Sequence, residues 1–388
     1  MKILLLGEYS NVHCTLAQGL RALGHHVDVA SDGDSWKNYP RDIDLRRQSL
    51  GRWDTLKFLW GLRRTWPRLQ GYDVVQLINP VFIPLRAERI LPYYKQLRER
   101  NGKLFLGAFG IDKPWVEQGL RPETFRYSDF YLYGKLRENA ENEEMIRDWL
   151  HGPKGELNEI IAEDCDGIVA GLYEYWRCYQ ADYAQKTTFI PFPVNHDVVT
   201  PRRPHPDDPA MRFFIGVQRA RSAYKGTDIM LRALEKLQKK WGERMQIIKA
   251  ESVPFAQYSR MMDGSDVLLD QLYSYTPAMN GLLAMAKGLV LVGGGEEEQY
   301  ELLGEKELRP IINVQPTQES VEQEIERRLL LHPDDLAQLQ HDSRAYTLRH
   351  HHHIRVAEQY VRFWEGKDPL LSPLKGEDFV PSCPLGLA

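Results

Sequence analysis

The chain has 388 residues, too many for one ordinary hydrophobic core and enough for two domains. Its formal net charge of −4 carries no basic excess of the kind that binds nucleic acid, and its four scattered cysteines, Cys14, Cys165, Cys178 and Cys383, form neither a disulfide framework nor a thiolate zinc site. Reduced thiols in a cytoplasm are the simplest reading of those cysteines, and with no run near the roughly 20 apolar residues that span a bilayer the expectation is a soluble or at most membrane-peripheral protein.

Lys2 to Leu6, KILLL, reads as a buried strand, followed by a turn from Gly7 to Asn11 and a helix with apolar Leu16, Leu20 and Leu23. Gly24 ends that helix, and His26 to Ala30 starts a second strand, a strand-helix-strand unit of a doubly wound parallel sheet. The turn has one glycine where a dinucleotide fold needs G-x-G-x-x-G, which disfavours NAD. From Arg41 to Arg68 the pattern changes: Trp53, Leu56, Trp60 and Trp66 stand among Arg52, Lys57, Arg63 and Arg64. Such a helix either packs on the sheet with its arginines reaching outward or lies at a membrane surface through residues 52–68.

Tyr72 to Ile78 is a further buried strand, and a helix from about Leu85 to Glu99 leads to the strand Lys103 to Ala108. Asp112, just beyond that strand end, is either a substrate contact or a turn former. Residues 113–160 are rich in Tyr, Trp and charge with weak periodicity, fitting either a substrate mouth or plain surface helices. Strands follow at Asp166 to Ala170 and Lys186 to Ile190. The four prolines of Asp197 to Pro209 make the best linker in the chain.

Phe213 to Leu231 organises the second half: an apolar strand into Gly216, a turn with Arg219, Arg221 and Lys225, and a helix opening near Gly226. A cationic turn between a strand and a helix N-terminus suits an anion, since free backbone N–H groups and basic side chains both bond phosphate oxygens. Strands at Met245 to Lys249 and Val267 to Asp270 precede a small-residue helix ending at Gly288. The strand Leu289 to Val292 then runs into Gly293-Gly294-Gly295 and Glu296 to Glu298. Ile354 to Trp364 is an amphipathic helix expected to cross back and cap the first half. The run His350 to His353, on a helix, directs its rings apart and implies a surface or hinge role rather than a closed metal site.

These features together resemble the GT-B glycosyltransferases, and within them the family 4-like group of retaining, nucleotide-sugar-dependent enzymes. The resemblance rests on Leu16-Ala17 to Gly24-His25, on Ile190-Pro191 through Asn195 and Asp197, on Lys225-Gly226-Thr227-Asp228, and on Ala284-Met285-Ala286-Lys287-Gly288. It implies an α/β fold of two Rossmann-like, doubly wound domains facing a cleft. Residues 1–198 would form the acceptor-side domain, completed by the C-terminal helix 354–388, with a linker at 199–210 and the donor domain at 211–353.

The resemblance also assigns roles. Arg219 or Arg221 with Lys225 would clamp the donor diphosphate and neutralise charge on the leaving group without a metal or other cofactor. Thr276, Asn280, Gly294 and Gly295, with Gly7 and Asn11 across the cleft, would contact the donor. Helix capping is the other reading of Thr276 and Asn280. His13 and Asp112 are acceptor-side candidates, His13 with capping or packing as its other reading. The family's pair of glutamates eight positions apart is missing, since Tyr275 and Leu283 stand there. Glu296 or Glu298 could take over a hydroxyl contact, or face water. The partners implied are a nucleotide-sugar donor and a glycan, lipid-linked or small-molecule acceptor. The alternatives are a catalytically decayed scaffold that binds a nucleotide or glycan, and a GT-B sugar-nucleotide epimerase.

Overall fold

The computed structural model describes residues 1–49, 51–205, 208–217 and 225–370. Arg219, Arg221 and Cys383 lie outside the described residues.

The first half is built on a parallel sheet of seven strands, β1 (Lys2–Leu6), β2 (His26–Ser31), β3 (Ile43–Asp44), β4 (Val74–Leu77), β5 (Lys103–Ala108), β8 (Gly167–Ala170) and β9 (Thr187–Phe189). A short antiparallel hairpin, β6 (Tyr131–Leu132) and β7 (Lys135–Leu136), stands apart from it. The spatial order is β3-β2-β1-β4-β5-β8-β9, with Ile3 paired to Val27 on one side and to Val74 on the other. The central strands are apolar on both faces because helices cover both. One face holds Leu4, Leu6, Val75 and Leu77 against the Ala87–Arg100 and Pro153–Asp164 helices; the other holds Ile3 and Leu5 against the Val12–Ala22 helix.

The second half is a parallel five-stranded sheet, β10 (Met211–Val217), β11 (Met245–Glu251), β12 (Val267–Leu269), β13 (Val290–Gly293) and β14 (Ile312–Asn313), in the order β11-β10-β12-β13-β14. Helices again lie on both faces, so the molecule is α/β with two Rossmann-like domains. No helix among the described residues is long and apolar enough to cross a membrane.

The His353–Trp364 helix packs on the Val12–Ala22 helix of the first half. Val356, Ala357, Tyr360 and Trp364, spaced along one face, enter the same core as Ile3 and Leu5, and the Trp364 indole N–H donates to Gln76 at 3.3 Å. Gly19 lets the two helices approach: a Cβ there would lie 2.2 Å from the His353 carbonyl oxygen.

The histidine run differs from the sequence reading. One helix, Leu336–His351, ends inside it, His352 is extended, and the next begins at His353, so the four residues straddle a break. His351 and His353 are buried, not on the surface. The break lies beside the strand-like segment leaving β9: Val194 N–H donates to the His351 carbonyl and His353 N–H to the Val194 carbonyl, at 2.6 and 3.1 Å. No group of three or more His, Cys, Asp or Glu side chains suited to a metal occurs among the described residues.

Candidate functional site

A cleft of about 840 Å³ opens between the two sheets at the carboxyl ends of their strands. In the second half its wall is Gly216 and Val217 at the end of β10, and Leu269 and Asp270 at the end of β12. From β10 the chain crosses to β11 on one side and later to β12 on the other, so the cleft sits at the topological switch point, where open α/β sheets bind ligands. The facing wall comes from the first half: Ser10 and Asn11 after β1, and Lys37 and Tyr39 after β2.

Lys225 stands at the head of the Thr227–Trp241 helix and lines the cleft. Among the described residues its ammonium has no hydrogen-bond or ion-pair partner. The adjacent glycine explains the Lys-Gly pair. Gly226 has φ +70°, and a Cβ on it would lie 2.6 Å from the Leu272 Cβ. The helix N-terminus and a cation therefore share one wall, which favours an anion there. Asn280, on the Met279–Lys287 helix, also faces the cleft, its side-chain N–H donating to Asp270 Oδ1 at 3.0 Å and its Oδ1 accepting from the Tyr258 hydroxyl at 3.1 Å. Opposite, Ser10 and Asn11 both have positive φ, 52° and 73°, which points the turn after β1 into the cleft. Lys37 Nζ holds that turn through Ser10 Oγ at 3.1 Å.

The other expected donor contacts lie elsewhere, at a junction where the two halves touch. Glu174 of the first half is buried and accepts four bonds from one loop: its Oε1 from Ser274 Oγ, Tyr275 N and Thr276 N at 2.9, 2.5 and 3.0 Å, and its Oε2 from Thr276 Oγ1 at 2.7 Å. Burial raises its pKa above the ordinary carboxylate range, against the pull of those donors. Glu296 accepts from the Tyr127 hydroxyl at 2.6 Å, Arg126 at 2.9 Å and Gln315 at 2.7 Å, while Glu298 ion-pairs with Arg126. Tyr275, where the glutamate was sought, stacks among Tyr127 and Tyr173 with ring centroids 4.7 and 5.7 Å away. Gly294 packs against the Ser274 backbone, and Gly295 N–H donates to Asn313 at 3.0 Å. Thr276, Glu296 and Glu298 are thus parts of an interdomain bolt, and Gly294 and Gly295 pack beside it within the second half.

Three further candidates lie inside the first half. Gly7 has φ +88° and abuts Ile78. His13 is buried beneath the turn: its Nδ1–H donates to the Gly7 carbonyl at 2.8 Å, its Nε2 has no partner among the described residues, and burial lowers its pKa to about 4. Asp112 caps the Lys113–Gly119 helix through Trp115 N at 2.9 Å and accepts from the Tyr179 hydroxyl at 2.9 Å, while burial raises its pKa to about 7. Sequence reading missed Glu8, whose carboxylate is buried under the same turn, accepts from Cys14 N at 2.8 Å, and is raised by burial to about 7. Its place after the β1 glycine was the only signal available for it. Glu174 and Arg126 gave no local signal at all.

No protein-family model matches the sequence, and no curated protein matches it by sequence. Solved structures do match over nearly the whole chain. Sucrose-phosphate synthase from Thermosynechococcus elongatus aligns over 94% of this chain and 99% of its own, with a TM-score of 0.60 at 14% identity. Anabaena HepE in complex with UDP and glucose gives 94% and 99%, a TM-score of 0.59 and 13% identity. The catalytic domain of starch synthase IV from Arabidopsis thaliana, bound to ADP and acarbose, gives 94% and 99%, with 0.52 and 9%. The chain has the GT-B fold. At these identities the likeness speaks for the architecture, and the chemistry has to be argued from the cleft.

Proposed function

We propose that the chain is a glycosyltransferase that binds a nucleoside diphosphate sugar in the cleft and transfers the sugar to a glycan, lipid-linked or small-molecule acceptor. The observation that carries the reading is the Lys225 ammonium, lining the cleft without a partner among the described residues, beside a helix N-terminus at the switch point of the second sheet. A diphosphate leaving group gains negative charge as the glycosidic bond breaks, and a fixed cation with oriented N–H groups stabilises that charge most in the transition state. Arg219 or Arg221, in the same turn of the sequence, would add a second cation. With that charge supplied by the chain, the proposed reaction needs no metal or other cofactor, and the motifs at Lys225–Asp228 and Ala284–Gly288, similar to those of retaining enzymes, support retention of the donor's anomeric configuration. HepE and starch synthase IV were solved with UDP and ADP, so uridine and adenosine conjugates are the first donors to test.

A second reading is favoured by the bolt. Glu174, Glu296 and Glu298 are each already paired, and Tyr275 and Leu283 replace the glutamate pair, which suits a scaffold that binds a nucleotide without turning it over. One experiment separates the readings. Nucleotide-sugars that raise the melting temperature are incubated with pooled acceptors in EDTA, and released nucleoside diphosphate and product anomer are followed by NMR. Acceptor-dependent release with a retained anomer supports the transferase. Turnover without acceptor supports an epimerase, and a thermal shift with no turnover supports the decayed scaffold.

A further inference from the structure

The Arg52–Thr65 helix is apolar on two sides. Phe58 and Leu62 face inward, into the core with Trp66 and Leu69. Trp53, Leu56 and Trp60, at positions i, i+3 and i+7, form a stripe on the opposite side and are 79%, 58% and 63% exposed. Exposing two indoles and a leucine together costs hydrophobic free energy that folding has not recovered. Lys57, Arg63 and Arg64 are exposed on the same side, and the Arg64 guanidinium sits 4.3 Å over the Trp60 ring. The single acid of the helix, Asp54, takes the Ser49 hydroxyl at 2.5 Å.

Charge identifies what covers the stripe. Residues 41–68 hold eight cations and three acids, a local excess of five positive charges on a chain whose net charge is −4. We propose that this face docks on an anionic lipid bilayer, with the indoles and Leu56 in the headgroup layer and the cations on lipid phosphates. A second copy of the chain is a poor occupant, since a two-fold contact through this face would set the same positive excess against itself. Docking would hold the chain at the surface where a lipid-linked acceptor lies. That last step rests on the transferase reading; the docking itself does not.

Flotation with phosphatidylcholine vesicles, with and without phosphatidylglycerol, tests the docking. The full chain is expected to float with the anionic vesicles at low salt and to be released by high salt. Arg63→Glu with Arg64→Glu, and separately Trp53→Ser with Trp60→Ser, should each cut the bound fraction at least about tenfold. Melting temperature and any nucleotide-induced shift should stay unchanged, because all four side chains are exposed and none lines the cleft. That pairing keeps a failure of docking distinct from a failure of the nucleotide reading. Absence of flotation overturns the proposal, as do variants that float like the parent. A dimer in light scattering that Trp53→Ser with Trp60→Ser dissolves overturns it in favour of self-association.

Discussion

Removing the Glu174 side chain tests whether the bolt holds the two halves together. Glu174→Ala leaves Thr276 N with Ser274 Oγ at 3.3 Å and Ser274 Oγ with the Thr276 carbonyl at 2.5 Å, so two of the four donors keep a partner. Tyr275 N and the Thr276 hydroxyl lose theirs inside a buried junction. A bond to a charged acceptor is worth about 1.5–3 kcal/mol, and an orphaned buried donor costs a similar amount. Against this stands the cost of keeping the carboxylate buried, visible in its raised pKa, which the alanine variant no longer bears. The net expectation is a loss of about 3 kcal/mol. Glu174→Gln keeps the oxygen that accepts three of the four bonds, and the Thr276 hydroxyl can turn to accept from the new amide, so its expected loss is about 1 kcal/mol. Urea unfolding followed by tryptophan fluorescence reads both values from the midpoint at constant slope. An alanine variant within about 0.5 kcal/mol of the parent, or a glutamine variant as damaged as the alanine one, would refute the reasoning.

Glu8 rises from 4.5 to about 7 on folding, so the folded chain holds more protons than the unfolded chain between those values, and stability falls as pH rises through that window. Relative to Glu8→Gln, which has no proton to lose, the parent should lose about 3 kcal/mol between pH 4.5 and pH 8 in urea titrations at fixed salt; a pH-independent difference would contradict the burial argument. Gly226→Ala should cost about 1–3 kcal/mol from its φ of +70° and the contact with Leu272, and should weaken nucleotide binding by moving Lys225. Gly304→Ala, at φ +66° with nothing near its Cβ, should cost only about 1 kcal/mol and leave binding intact; equal melting temperatures for the two variants would remove the steric account.

What the sequence made legible followed from local rules. KILLL and FFIGV read as central strands because a strand covered on both faces is apolar throughout, and the helix opening near Gly226 was legible because a glycine supplies the positive φ at its start. Asn11, Lys225 and Asn280, far apart in the chain, do meet in one cleft. The bolt was not legible. Its pairs join residues about 100 to 170 positions apart, and which carboxylate meets which donor depends on how the two sheets face each other. Glu296 and Glu298 could therefore be read as free ligands for a sugar when Arg126 and Tyr127 already hold them. Of the two roles read for the histidine run, surface or hinge, the surface one fails for a related reason. Four polar residues at a helix end suggest solvent, but the chain crosses back between halves there, and burial follows from the crossing.

Titration calorimetry of UDP, ADP and GDP against the parent chain and Lys225→Ala tests the central claim most directly. At least one nucleoside diphosphate is expected to bind the parent, and the variant to bind it about 10- to 100-fold more weakly, the loss of one charge-assisted bond, with its fold unchanged. Equal affinity in the two proteins, or no binding of any nucleoside diphosphate to the parent, would contradict it.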